Sequence, residues 1–116
     1  MTIDELLGEC LSAKDRFWFV QVYEIERTDL TITVRFVIGV GLFIQVFYSK
    51  YSGRLSLALI GVSGRLYGRD CEHGVWHRHP FDDPDQHELT PEGMSPQPVL
   101  QFLAEVEKIL IENNLI

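Results

Sequence analysis

Apolar residues recur at the spacing of a helix face near both ends of the chain. Residues 3–13 are predicted to form a short helix, because Thr2 and Glu5 have the spacing of a capping box and the apolar residues that follow share one face. Those apolar residues are Leu6, Leu7, Cys10 and Leu11.

A longer helix is predicted near the C-terminus. Ser95 is the expected N-cap and Pro96 the expected first helical residue. An offset stripe of Leu100, Ala104 and Ile111 either lies deep between the sheet and the first helix or forms a partner-binding face, through which two copies could dimerise. The main apolar stripe, which should pack on a sheet, consists of Val99, Phe102, Leu103, Val106, Ile109 and Leu110.

The chain between these helices has the two-residue period of β-strands. In Leu30–Ile38, apolar residues alternate with mostly polar ones, as in a half-buried strand. Phe17–Arg27 is predicted as the strand before it. Leu42–Tyr48 is nearly continuously apolar and is expected at the sheet centre. A fourth strand is predicted around Leu55–Leu59 and a short fifth one at Arg65–Arg69.

These elements predict an α+β fold. Short turns join the strands, so the sheet should be an antiparallel meander of about five strands. The short N-terminal helix and the longer C-terminal helix are expected to pack on one face of it. The length of 116 residues and the hydrophobic fraction of 46% predict a single domain covering residues 1–116. The polar, proline-containing stretch from Asp70 to Pro98 is expected to be irregular.

Charge and cysteine content narrow the compartment and the partners. The acidic residues near the N-terminus do not fit a signal peptide, and the two distant cysteines, Cys10 and Cys71, indicate a reducing cytoplasm. The apolar stretches are too short for a membrane helix. The formal net charge of −7 disfavours extensive contact with nucleic acid, unless a local basic site or a basic partner protein provides it.

All histidines of the chain fall within the segment from Tyr67 to Glu88; they are His73, His77, His79 and His87. Pro80 disfavours a helical conformation for His79, so this part of the chain should be extended. Residues two apart in an extended chain point to the same side. His77 and His79 are therefore predicted to project together, with Arg78 on the other side.

Two imidazoles on one side allow two kinds of chemistry. They could transfer protons near neutral pH, because histidine titrates there. They could also ligate a transition metal such as zinc or nickel. A structural alternative is that they only hydrogen-bond the loop together. The third ligand of a metal site would come from His87, Asp82, Cys71 or His73.

The residues just before the histidines add polar groups of other types. Asp70 could orient an imidazole, and Arg69 could hold a phosphate together with Arg65 and Arg78. Tyr67 shares a strand face with Arg69 and joins the predicted substrate-binding residues. The alternative is an ordinary surface pair of Arg69 and Asp70.

The order of these motifs resembles the TumE-type toxins of toxin–antitoxin systems. The similarity covers roughly residues 20–110. Its motifs follow one another as in that family, in the order Arg69-Asp70, His77-Arg78-His79, His87 and Val99-Leu100 through Val106. In this chain the arginine and the aspartate are adjacent, and one run, Trp76–Phe81, replaces the family's two histidine pairs.

The resemblance implies a cytoplasmic, toxin-like effector encoded with a helix-turn-helix antitoxin. Its activity would be metal-independent endoribonuclease chemistry without a cofactor. His77 and His79 would act as base and acid, supported by His87 and Asp70, and arginines would bind the phosphate. A zinc- or nickel-binding or metallohydrolase-like domain, with His77, His79 and His87 as ligands, is the first alternative. A non-enzymatic interaction module is the second.

Overall fold

The computed structural model describes residues 1–94 and 96–116, and over these residues the chain forms two helices and one antiparallel sheet of seven strands. The predicted α+β class is confirmed, but the sheet is larger than expected. The helices are α1 (Ile3–Arg16) and α2 (Pro98–Glu112). The strands, adjacent in chain order, are β1 (Val22–Arg27), β2 (Thr31–Gly39), β3 (Leu42–Ser49), β4 (Leu55–Gly61), β5 (Gly64–Glu72), β6 (Val75–His79) and β7 (Glu88–Leu89). In the part of the chain described here, neither helix is long and apolar enough to cross a membrane.

Helix α1 begins as predicted and ends later. The backbone N–H of Glu5 donates to Thr2 Oγ1 at 3.0 Å, and the backbone N–H of Thr2 donates to Glu5 Oε1 at 3.0 Å, which completes the capping box. The helix extends to Arg16. Phe17, predicted to begin a strand, is the C-cap of α1 instead, and β1 begins only at Val22.

Helix α2 starts two residues later than predicted, at Pro98, with Gln97 as its N-cap. A proline disfavours the helical conformation of the residue before it. Pro98 therefore keeps Gln97 out of the helix, and Pro96 cannot be the first helical residue. The predicted N-cap, Ser95, lies outside the described residues.

Both helices pack against the same face of the sheet. A row of register partners, Val34, Val46, Leu57 and Arg69, points to this side, which we call the helix face. The apolar members of the row are buried with side chains from both helices in one core cluster. The opposite side, called the open face, carries the adjacent row of Arg35, Gln45, Ala58, Gly68 and His79.

The main stripe of α2 lies in this core, as predicted. Phe102 is fully buried, and its ring stacks on that of Tyr67 with centroids 5.6 Å apart. The offset stripe is divided: Leu100 is buried, whereas Ala104 and Ile111 are exposed. Only its first residue therefore lies deep in the fold.

The segment expected to be irregular contributes two strands. β5 and β6 form a hairpin whose turn, His73-Gly74, has φ values of 52° and 77°. Two consecutive positive φ values match the twist of a tight hairpin turn. β6 then pairs with the short β7 at the edge of the sheet. The histidine-containing segment is therefore mounted on regular structure at this edge.

Candidate functional site

The β5–β6 hairpin brings three of the predicted catalytic residues to one place. Asp70 is the register partner of His77, and Gly68 is the partner of His79. Directly opposed residues of an antiparallel pair point to the same face, and so do residues two apart in a strand. Asp70, His77 and His79 therefore share the open face, and the two histidines project together as their spacing predicts.

His79 is the buried centre of this group, with 4% of its surface exposed. It donates from Nδ1 to the carbonyl oxygen of Pro84 at 3.0 Å, since a carbonyl can only accept. Its Nε2 lies 2.9 Å from Asp70 Oδ2, so one proton lies between these two atoms. Both ring nitrogens are thus engaged. His79 ties the loop after β6 to β5, and its role as a catalytic base or acid stays a prediction from the sequence.

His87 lies beside this pair at the end of the same loop. Its ring is edge-on to that of His79, with centroids 4.3 Å apart, and its centroid is 6.1 Å from that of His77. His87 is exposed and His77 is half-buried. Of these three imidazoles, His77 and His87 are therefore the two that solvent can reach.

A cleft of about 500 Å³ opens next to His79 and His87. Arg65 lines it, and its Nη1 lies 3.8 Å from Asp70 Oδ2. The remaining lining residues are Ser63, Leu66, Phe81, Pro84 and Asp85. The cleft therefore combines an accessible imidazole with a guanidinium group.

A β-bulge in β5 puts Arg65 on this side. Leu59 is paired with Tyr67, but the next residue of β4, Ile60, is paired with Arg65, so β5 contains one extra residue here. Strict alternation would have placed Arg65 on the helix face with Tyr67. A bulge shifts the alternation by one and redirects the side chains that precede it.

Arg69 and Tyr67, predicted to bind substrate beside the histidines, lie on the helix face instead. Arg69 donates to Glu105 of α2 from Nε at 3.0 Å and from Nη2 at 2.7 Å. Tyr67 donates its hydroxyl proton to Glu105 Oε1 at 2.7 Å. Burial and the bond to Glu105 raise the pKa of Tyr67 to about 12. Strand alternation separates these residues from Asp70.

Arg78 is also separated from the histidines, as its position between His77 and His79 predicts. It is the register partner of Arg69 on β5 and of Glu88 on β7, and it donates to Glu88 Oε2 from Nε at 2.9 Å and from Nη2. Of the four predicted substrate-binding residues, only Arg65 lies on the same side as the histidines.

The geometry of the described residues does not favour the predicted metal site. Among the described residues, no three histidine, cysteine, aspartate or glutamate side chains are placed to share a metal ion. His77, His79 and His87 do cluster, but both nitrogens of His79 already have protein partners. Cys71 does not supply a ready thiolate either, because burial raises the pKa of its thiol.

Sequence reasoning missed three residues that build this region. Gly68 lies opposite His79, and a side chain there would approach the carbonyl oxygen of Leu57 at 3.2 Å and the His79 ring at 3.5 Å. A glycine inside a strand often marks such a close approach and could have indicated it. Glu105, a single acid beside the apolar stripe of α2, carried a weaker signal. The role of the Pro84 carbonyl had none.

Comparisons of the chain with protein-family models, with curated proteins and with solved structures found no match. The resemblance to TumE-type toxins therefore stays a prediction from the sequence.

Proposed function

We propose that the chain is a toxin-like effector that cleaves RNA without a metal ion, with His77 and His87 as the acid–base pair. The observation that carries this proposal is the placement of two accessible imidazoles, with centroids 6.1 Å apart, beside the buried Asp70–His79 pair. Hydrogen bonds of about 3 Å from each ring would let both reach one phosphodiester group.

The chemistry requires one proton acceptor and one proton donor. One imidazole, in its neutral form, takes the proton of a ribose 2′-hydroxyl, and the 2′-oxygen forms a bond to the adjacent phosphorus. The bond from phosphorus to the 5′-oxygen breaks, and the other imidazole, in its protonated form, gives that oxygen a proton. The products are a 2′,3′-cyclic phosphate and a 5′-hydroxyl.

Arg65 and the buried pair support this reaction in different ways. Arg65 lines the cleft with His87 and can offset the charge that develops on the phosphate. His79 bonds the Pro84 carbonyl at 3.0 Å, three residues before His87, and thereby holds the loop that carries His87. Asp70 fixes His79 in turn. Neither Asp70 nor His79 needs to touch the substrate.

The shape and charge of the chain favour a short single-stranded substrate. A net charge of −7 opposes binding along an RNA duplex. A cleft of about 500 Å³ suits a group of the size of a nucleotide. Unpaired RNA exposes its bases and 2′-hydroxyls for recognition. A basic helix-turn-helix antitoxin, which the TumE-type resemblance implies, would fit the acidic surface as the restraining partner.

The test is an RNA cleavage assay with the chain purified without a histidine tag, single-stranded RNA and an excess of EDTA. We expect cleavage that leaves 2′,3′-cyclic phosphate and 5′-hydroxyl ends, and no cleavage at a nucleotide whose 2′-hydroxyl is replaced by hydrogen. Uncut RNA, cleavage that needs added divalent metal, or products with 5′-phosphate ends would overturn the proposal.

A further inference from the structure

A second cleft, of about 320 Å³, opens on the helix face between α2 and the β5–β6 hairpin. It lies across the sheet from the Asp70–His79 pair. The residues that line it are Tyr67, Arg69, Arg78, Pro80, Phe81, Glu105, Lys108 and Ile109. We call it the arginine cleft.

The arginine cleft is lined by more cations than acids, but Glu88 and Glu112 outside its wall pair with Arg78 and Lys108. Three of its lining residues are cationic and only Glu105 is anionic, in a chain whose net charge is −7. Glu105 already accepts bonds from Arg69 and Tyr67 through its two oxygens. Guanidinium groups can only donate hydrogen bonds, so the two arginines of the wall favour an anionic ligand over a cationic one.

The two guanidinium groups lie near each other and do not share a counter-ion. Arg69 pairs with Glu105 on α2, whereas Arg78 pairs with Glu88 on β7. The bonds to Glu88 raise the pKa of Arg78, while the positive charge of Arg69 acts to lower it. Within the described residues, Arg69 Nη1 is buried without a hydrogen-bond partner. An anion that reached this atom would give it the hydrogen-bond partner that the described residues do not supply.

The rest of the cleft wall is apolar. Phe81 and Pro80 contribute from the loop after β6, and Ile109 from α2. Lys108 stands on the α2 side, with 76% of its side chain exposed, and its Nζ lies 3.9 Å from Glu112 Oε1 in a weak surface pair that a bound anion would replace. A ligand that fits both parts of the wall carries an oxyanion at one end and an apolar group at the other.

We infer that the arginine cleft binds a small oxyanion, phosphate or carboxylate, attached to an aromatic or apolar group. Guanidinium groups bind both oxyanions through paired hydrogen bonds, and Lys108 adds a point charge. The site does not depend on RNA cleavage, because the sheet separates it from the histidines. Phe81 lines both clefts, so binding must be assigned to one of them by experiment.

The test is isothermal titration calorimetry of the complete chain with phenyl phosphate, phenylacetate and inorganic phosphate. We expect the arginine cleft to bind phenyl phosphate about tenfold more tightly than inorganic phosphate, because the phenyl ring is buried. The comparison with phenylacetate shows whether the site prefers phosphate or carboxylate, and either preference supports the inference.

Variants assign the binding to the arginine cleft. Lys108→Gln changes an exposed side chain and should keep the fold, and we expect it to weaken phenyl phosphate binding about fivefold. Arg78→Gln should weaken it at least as much. Arg65→Gln in the histidine cleft and Lys50→Gln on the distant surface are the controls and should not change it. The inference fails if neither aromatic anion binds, if Lys108→Gln binds as well as the wild type, or if Arg65→Gln abolishes binding.

Discussion

Arg69 and Asp70 are neighbours in the chain, yet their side chains take part in networks on opposite faces of the sheet. Arg69 bonds Glu105 of α2 at 2.7 Å, whereas Asp70 lies 2.9 Å from His79 on the open face. Alternation along β5 makes this separation unavoidable. One step of the strand thus contributes to two clefts with different chemistry.

The Asp70–His79 pair should stabilise the fold. Asp70→Ala leaves His79 Nε2 buried without its partner, so we expect the free energy of unfolding to fall by about 2 kcal/mol. Asp70→Asn should cost less, because an amide can still bond to the ring. Urea denaturation measures both, with the exposed Asp82→Ala as the control. A loss for Asp70→Ala no larger than that for Asp82→Ala would contradict a structural role for the pair.

Substitutions of Arg69 and Glu105 should have non-additive effects on the free energy of unfolding, because the two side chains form an ion pair. Glu105→Ala leaves a guanidinium group buried without its counter-ion, and we expect it to destabilise the chain by about 3 kcal/mol. Adding Arg69→Met should restore much of this loss, because an apolar side chain tolerates the buried position. Urea denaturation of the two single variants and the double variant gives the coupling. A double variant less stable than Glu105→Ala alone would show that Arg69 contributes in another way.

Glu9 of α1 caps helix α2 from a distance. Its Oε2 accepts a bond from the backbone N–H of Leu100 at 3.0 Å, in the first turn of α2, where Gln97 makes no side-chain capping bond among the described residues. Glu9→Ala should therefore lower the free energy of unfolding by about 1 kcal/mol. The exposed Glu5 side chain accepts the same type of bond from the backbone N–H of Thr2 at the start of α1, so Glu5→Ala is a matched comparison for the size of the effect.

The same residue gives the stability a pH dependence of known sign. Burial raises the pKa of Glu9 above the ordinary value of 4.5, although the backbone hydrogen bonds to its carboxylate act to lower it. The folded chain therefore holds this proton more tightly, and the stability gained by protonation is lost as pH rises through the folded-state pKa. Compared with Glu9→Gln, the wild type should gain stability as pH is lowered from 7 toward 4.5. Parallel urea denaturation at several pH values checks this, and a relative loss of stability on acidification would contradict it.

Local patterns in the sequence predict the centre of the sheet and the orientation of the histidines. The alternation in β2 and β4 identifies their buried faces, and Pro80 with strand alternation suffices to put His77 and His79 on one side. The polar character of β6 hid its strand. This explains why two strands at the edge of the sheet were not predicted.

The composition of the candidate site depends on contacts that local patterns do not contain. The bulge in β5 that redirects Arg65 arises from its register with β4. Glu105 meets Arg69 from a helix 36 residues further along the chain. The engagement of both His79 nitrogens requires the loop to fold back. For these reasons the sequence indicated the segment but not which of its histidines are buried and already bonded.

Acid–base catalysis by His77 and His87 is tested most directly by RNA cleavage rates measured in EDTA. His77→Ala and His87→Ala should each lower the rate by about 10²- to 10⁴-fold. The control is His73→Asn, which changes a histidine outside the cluster at a turn position with φ 52°, a conformation that asparagine tolerates. It should cleave at the wild-type rate. Wild-type rates in both alanine variants, or an equal loss in His73→Asn, would contradict catalysis by this pair.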